Sequence, residues 1–91
     1  MPRPVFKGTI CGNPVSVYRR VTKHMDEGDN GICCKRGGKF IVSIRPGLPR
    51  SRELEIIIHE LLHAADWYKD EEWVEDAGND IAKILVALGY G

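Results

Sequence analysis

The sequence predicts an α+β domain: a small antiparallel β-sheet followed by an antiparallel hairpin of two helices. Three observations carry this expectation. Phe40, Val42 and Ile44 fall on one face of the segment Lys39-Phe40-Ile41-Val42-Ser43-Ile44-Arg45, the period-2 pattern of a half-buried strand. Apolar residues then recur at helical spacing from Leu54 to Ala65, and again from Val74 to Leu88. Only residues 67–70 separate the two helical segments, a link short enough to make them antiparallel neighbours. With 91 residues the chain holds one domain and one modest core.

Residues 9–20 read as strand, turn and strand, with Gly12-Asn13-Pro14 as the turn and Val15 and Val17 on one face. Residues 24–31 are polar and read as an exposed loop. Gly37-Gly38 precedes the strand at 39–45, and Pro46-Gly47-Leu48-Pro49 ends it. Sheet and loops thus occupy residues 1–50. Ser51 can cap a helix, and Glu53 suits the positive end of its dipole. This first helix spans about 51–66. Leu54, Ile57, Ile58, Leu61 and Ala65 form its stripe, Leu62 widens it, and Ile56 lies round the other side. A helix so apolar belongs between the sheet and another helix. The second helix runs over about 70–88 and turns Val74, Ala77, Ile81, Ile84, Leu85 and Leu88 to the core. Gly89-Tyr90-Gly91 ends it.

Formal charge cancels, with 13 basic and 13 acidic side chains, but it is divided. Residues 1–52 hold 11 basic and 3 acidic side chains, a balance of +8, and residues 53–91 hold 2 and 10, a balance of −8. Zero net charge makes nucleic acid a disfavoured partner. The basic half, with Arg3, Lys7, Arg19, Arg20, Lys23, Lys35, Arg36 and Lys39, keeps it open. No apolar run approaches the roughly 18–20 residues that span a bilayer. The first eight residues lack the apolar stretch of a secretory signal, so a cytoplasmic protein without membrane attachment is expected. Cys11, Cys33 and Cys34 then read as reduced thiols. A Cys3His zinc site with His24 is the sharper reading, but Cys33 and Cys34 are adjacent and lack the usual ligand spacing.

The chemistry lies in the first helix. His59, Glu60 and His63 form the pattern His-Glu-x-x-His. Four residues apart, the two imidazoles leave one side of a helix one turn apart and can share a tetrahedral metal. Glu60 lies about 100° round from His59, beside the metal position, where it can take a proton from water. Such groups inside an apolar helix are expensive unless paired or metal-bound. Zinc needs a third protein ligand, and no histidine follows His63. The second helix offers the carboxylates Glu71, Glu72, Glu75, Asp76 and Asp80. Glu72 points away from the core. Glu71 lies nearest the apolar stripe, and Glu75 is the runner-up, one turn on. An acidic first turn is also what the helix dipole favours without any metal. Asp66 shares the histidines' side and can orient an imidazole or anchor the interhelical turn. Trp67, Tyr68 and Trp73 read mainly as core, with the Tyr68 hydroxyl a candidate for an oxyanion.

His59-Glu60-Leu61-Leu62-His63-Ala64 resembles the signature of zincin metallopeptidases. More narrowly, the chain is similar to small phage and bacterial metallopeptidases of the gluzincin or SprT-like kind. There a Gly-rich antiparallel sheet precedes the helix, and an acid opens the next helix with the pattern Glu-x-x-Val. Glu71-Glu72-Trp73-Val74 fits that pattern, so the resemblance places the metal-binding acid on Glu71. The chain departs in its shorter interhelical link. The resemblance implies a zinc metalloendopeptidase acting on a peptide or protein, in the host cytoplasm if phage-encoded. His59, His63 and Glu71 would bind Zn2+, and Glu60 would be the general base. Substrate is expected along residues 40–44 by strand addition, so that Val42→Pro would abolish cleavage and spare the fold. The alternative is a non-catalytic zinc-binding protein that binds a host protein or nucleic acid.

Overall fold

Two tight turns set up the sheet. Cys11 and Gly12 have φ of 50° and 80°, and Gly37 and Gly38 have 54° and 82°. Positive φ at both central residues of a two-residue loop is the turn that matches the twist of paired strands. Each turn therefore closes a hairpin. β1 (Phe6–Ile10) meets β2 (Asn13–Arg19), and β3 (Gly31–Arg36) meets β4 (Lys39–Ile44). Helices α1 (Arg50–Ala65) and α2 (Glu71–Ala87) follow. The computed structural model describes residues 3–91.

The architecture is α+β, a four-stranded sheet and then two helices, but the sheet is mixed. Its order is β1-β2-β4-β3, with β1/β2 and β3/β4 antiparallel and β2/β4 parallel. The chain leaves β2, crosses to the far edge as β3, and turns back so that β4 enters between them. Expectation missed β3 because Gly-Ile-Cys-Cys-Lys-Arg has no apolar alternation. The first turn is also displaced: Cys11-Gly12 makes it, and Asn13 and Pro14 open β2. The expected substrate edge at residues 40–44 is overturned. β4 is paired on both sides, with Val42 opposite Val17 and Cys33 and fully buried. Val42→Pro would break the sheet itself. The edge beside the helices is β3.

Val15, Val17, Phe40, Val42 and Ile44 form the inner face of the sheet, and Ala64 packs on it with Ile56, Ile57 and Leu61 of α1. Ile56 thus faces the sheet rather than away from it. A helix apolar on most of its circumference does not reveal by periodicity which side meets which neighbour. α2 packs on α1 and touches no strand among the described residues. It does so through Val74, Gly78 and Ala82, all buried. The expected stripe is corrected here: Ile84 and Leu88 are 58% and 67% exposed, and Ile81 is exposed as well. Small side chains let two helix backbones approach closely, so the glycine side of α2 meets α1 and the larger apolar side faces outward. Among the described residues no helix is long and apolar enough to cross a membrane.

Two glycines lie against α1, and they predict opposite outcomes for the same substitution. A Cβ on Gly31 would stand 2.5 Å from Ile56 Cγ2 and 3.3 Å from Glu60 Cγ. A Cβ on Gly78 would meet His59 atoms at 3.5–3.7 Å, an ordinary contact. Gly31→Ala should therefore cost about 1–3 kcal/mol by overpacking. Gly78→Ala should gain about 0.5–1 kcal/mol of helix propensity. Urea unfolding of the two variants reads both signs.

Candidate metal centre

The frame of the site is built by side chains that finish the helix ends. The Asn13 amide donates to the carbonyls of Ala64 (2.9 Å) and Ala65 (3.3 Å), tying the end of α1 to the sheet. The Asp66 N–H donates to the Leu62 carbonyl, closing the helix. Four residues later Asp70 caps α2, its Oδ1 accepting from the N–H groups of Glu72 (2.9 Å) and Trp73 (3.2 Å). Glu71 is therefore the first residue of α2, at the positive end of its dipole and opposite the last turns of α1.

The donors converge there. His59 Nε2 and His63 Nε2 are 3.2 Å apart. The Glu71 carboxylate lies against both, Oε1 at 3.0 Å from His59 Nε2 and Oε2 at 3.0 Å from His63 Nε2. Two ligands bound to zinc at 2.0–2.1 Å and the tetrahedral angle stand about 3.3 Å apart. The three side chains thus fit a zinc ion in donor chemistry and in spacing. His59, Glu60 and His63 also bring one ligand atom each within 4.8 Å of one another. Two carboxylates compete for the third position, and Glu71 is the closer to both imidazoles.

Glu60 is 9% exposed, on the side of α1 that faces Gly31 and Cys33. Burial lifts its carboxyl from 4.5 to about 7; His59 opposes the shift, and the Glu71 and Asp29 carboxylates add to it. Burial also lowers His63 and so favours its neutral, ligating form, while the Glu71 carboxylate pulls the other way. Cys33 is pushed up to about 12 by burial and by the Glu60 and Cys34 charges, so it stays a thiol. Around these groups runs an open groove of about 530 Å³, walled by Gly31, Ile32 and Cys33 of β3 on one side and by Trp67 and Lys69 on another.

Glu75 borders a neighbouring hollow with His59 and Glu60 but pairs with neither imidazole. Glu72, Asp76 and Asp80 are exposed. Asp66 makes no side-chain hydrogen bond to an imidazole among the described residues; its part is to end α1. Tyr68 is 86% exposed, stands 5.3 Å from the Lys35 ammonium and is absent from the groove wall, which removes its oxyanion role. Trp67 packs on Phe40, with ring centroids 5.6 Å apart, while Trp73 lies on the surface beneath Lys69. Cys33 and Cys34 are successive residues of one strand and project to opposite faces, so the Cys3His site with His24 does not form. Sequence reasoning missed Gly31, Ile32, Cys33 and Lys69, all of which follow from the unrecognised edge strand or the short loop.

Glu60 gives a pH signature. Its folded-state pKa lies above the ordinary 4.5, so its contribution to stability is complete below that value and is lost as pH rises through about 7. His63, shifted down, acts oppositely and loses its contribution as pH falls. Glu60→Gln removes only the first effect. In metal-free protein the variant should gain on the parent between about pH 5 and 8, by on the order of 1–3 kcal/mol. Urea titrations across that window measure the difference, and a constant difference would mean that the carboxyl titrates normally.

No protein-family model, curated protein or solved structure matches this chain.

Proposed function

We propose that the chain is a zinc-dependent peptidase. The observation that supports this best is the convergence of His59, His63 and Glu71 at 3.0–3.2 Å, beside a buried carboxyl and at the edge of an open groove. His59, His63 and Glu71 would hold the ion. Bound there, zinc supplies Lewis acidity, lowering the pKa of water at its open position and polarising a carbonyl.

The chain's own residues do the rest. Glu60 accepts a proton on a carboxylate oxygen from the attacking water and later returns it to the leaving amide nitrogen. Burial raises the Glu60 carboxyl, which strengthens it as a base for the first transfer. The positive end of α2 favours the Glu71 carboxylate where it stands, against His59 and His63. β3 is an edge strand, so one side of its backbone is free to hydrogen-bond an extended peptide. Gly31, Ile32 and Cys33 of that strand lie on the groove wall, which brings a peptide added there alongside Glu60.

Metal analysis of the purified chain should find one zinc per chain. Glu60→Gln should keep that zinc and lose about 100-fold or more of turnover on a peptide library. Glu71→Gln should weaken zinc by at least about 10–100-fold, the range already reached by losing a ligand's supporting hydrogen bond. Stoichiometric zinc with no turnover by the parent on any peptide would assign the site a structural role. Absence of metal would remove the reading altogether.

A further inference from the structure

The sheet has a second face, and no helix covers it. By strand register Ser16 and Tyr18 of β2, Ile41 and Ser43 of β4, and Ile32, Cys34 and Arg36 of β3 share that face, opposite the core. A cavity of about 250 Å³ opens on it where residues 20–24 fold over the sheet. Arg20, Lys23, His24 and Arg36 surround the cavity, Thr22 and Ser43 are among its lining residues, and no carboxylate lines it.

Two features separate this cavity from a merely solvated basic surface. The first is the way Arg20 is held. Its guanidinium stacks 3.9 Å over the Tyr18 ring, and its Nε donates to Ser43 Oγ at 3.3 Å. Arg20, Lys23 and Arg36 have no carboxylate partner among the described residues, whereas Arg19 next door pairs with Glu53 at 2.9 Å. The second is Thr22. Its Oγ1 is the one buried side-chain polar atom without a hydrogen-bond partner among the described residues. A buried hydroxyl left unpaired is costly, so it marks a place where a partner is due. Arg20 donates to Ser43 Oγ, which leaves the Ser43 hydroxyl hydrogen free to donate in turn. The cavity therefore presents hydroxyl and cationic donors and no competing anion. A tetrahedral oxyanion with several acceptor oxygens complements that set.

We propose that this cavity binds a phosphate group, either free phosphate or the phosphate of a nucleotide. It lies on the other side of the sheet from the metal centre and does not depend on the peptidase reading.

Amide-resolved NMR on the full chain, made metal-free so that phosphate cannot bind zinc, tests this at constant ionic strength. Added inorganic phosphate should give saturable shifts at Thr22, Lys23, Cys34 and Ser43, and sulfate should compete where chloride does not. Thr22→Val and Arg36→Gln should each weaken binding about fivefold or more, while Glu60→Gln leaves it unchanged. Arg36 is exposed, so its replacement keeps the fold. A 5′-mononucleotide binding more tightly than phosphate, with its nucleoside silent, would identify the nucleotide as the source. The reverse order would identify free phosphate. Shifts that never saturate, that ignore both substitutions, or that the nucleoside reproduces would overturn the proposal.

Discussion

The rest of this structure depends on the burial of α1. A helix with a sheet on one side and a second helix on the other must be apolar almost all round, and this one carries two histidines and a glutamate in its second half. Ionisable groups in such a place have to be paired, neutralised or bound to a metal. The first two outcomes have left a trace. The histidines meet the Glu71 carboxylate, and Glu60 has moved towards neutrality. The elements around α1 serve the same constraint. Asn13 pins its end, Gly31 lets β3 come close, α2 packs on it through Val74, Gly78 and Ala82, and Asp70 starts α2 where Glu71 can reach across.

What the sequence made legible follows from which signals are local. His59, Glu60 and His63 lie within five residues on one helix, so helix periodicity alone puts them together. Glu71 is singled out by its place nearest the apolar stripe and by the Glu-x-x-Val pattern of the resemblance, and it meets both imidazoles because Asp70 starts α2 opposite them. The orientation of α2 was not readable. Val74-Gly78-Ala82 and Ile81-Ile84-Leu88 are both continuous stripes, and hydrophobicity favours the second. The choice turned instead on how closely backbones can approach, a property of small side chains that hydropathy does not register. β3 was missed for a different reason. Its residues are polar or sulfur-bearing, and their strand character comes from pairing with β4 rather than from any pattern of their own.

The charge division is also resolved by the fold. Of the excess acid in the C-terminal half, Glu71 meets the two histidines, Glu60 is buried beside them, and Glu53 pairs with Arg19. Of the excess base, Arg45 holds the loop carbonyls of Asp26, Glu27 and Asp29. Arg20, Lys23 and Arg36 gather where the acids are absent, on the uncovered face of the sheet. Among the described residues only Arg19–Glu53 and Arg52–Glu55 pair the two halves, so most of their charge is not neutralised between them. A chain of zero net charge presents an acidic helical side and a basic sheet side, and each offers ligands of opposite sign a separate field.

The mixed sheet connects these two sides. In a sequential order of strands, β4 would have been the free edge. Its continuous core residues Phe40, Val42 and Ile44 would then have bordered the groove, and β3 would have been interior. Inserting β4 between β2 and β3 does two things at once. It puts the most apolar strand in the middle, under α1, where it anchors the helix that carries the histidines. It also moves to the edge a strand whose first residue is a glycine, the one residue that leaves room for Glu60 beside it. The strand's alternate residues then face opposite ways. Cys33 turns towards the groove, and Cys34 and Arg36 turn to the basic cavity. A single six-residue strand thus forms a wall of both sites, and the parallel pairing of β2 with β4 is what puts it there.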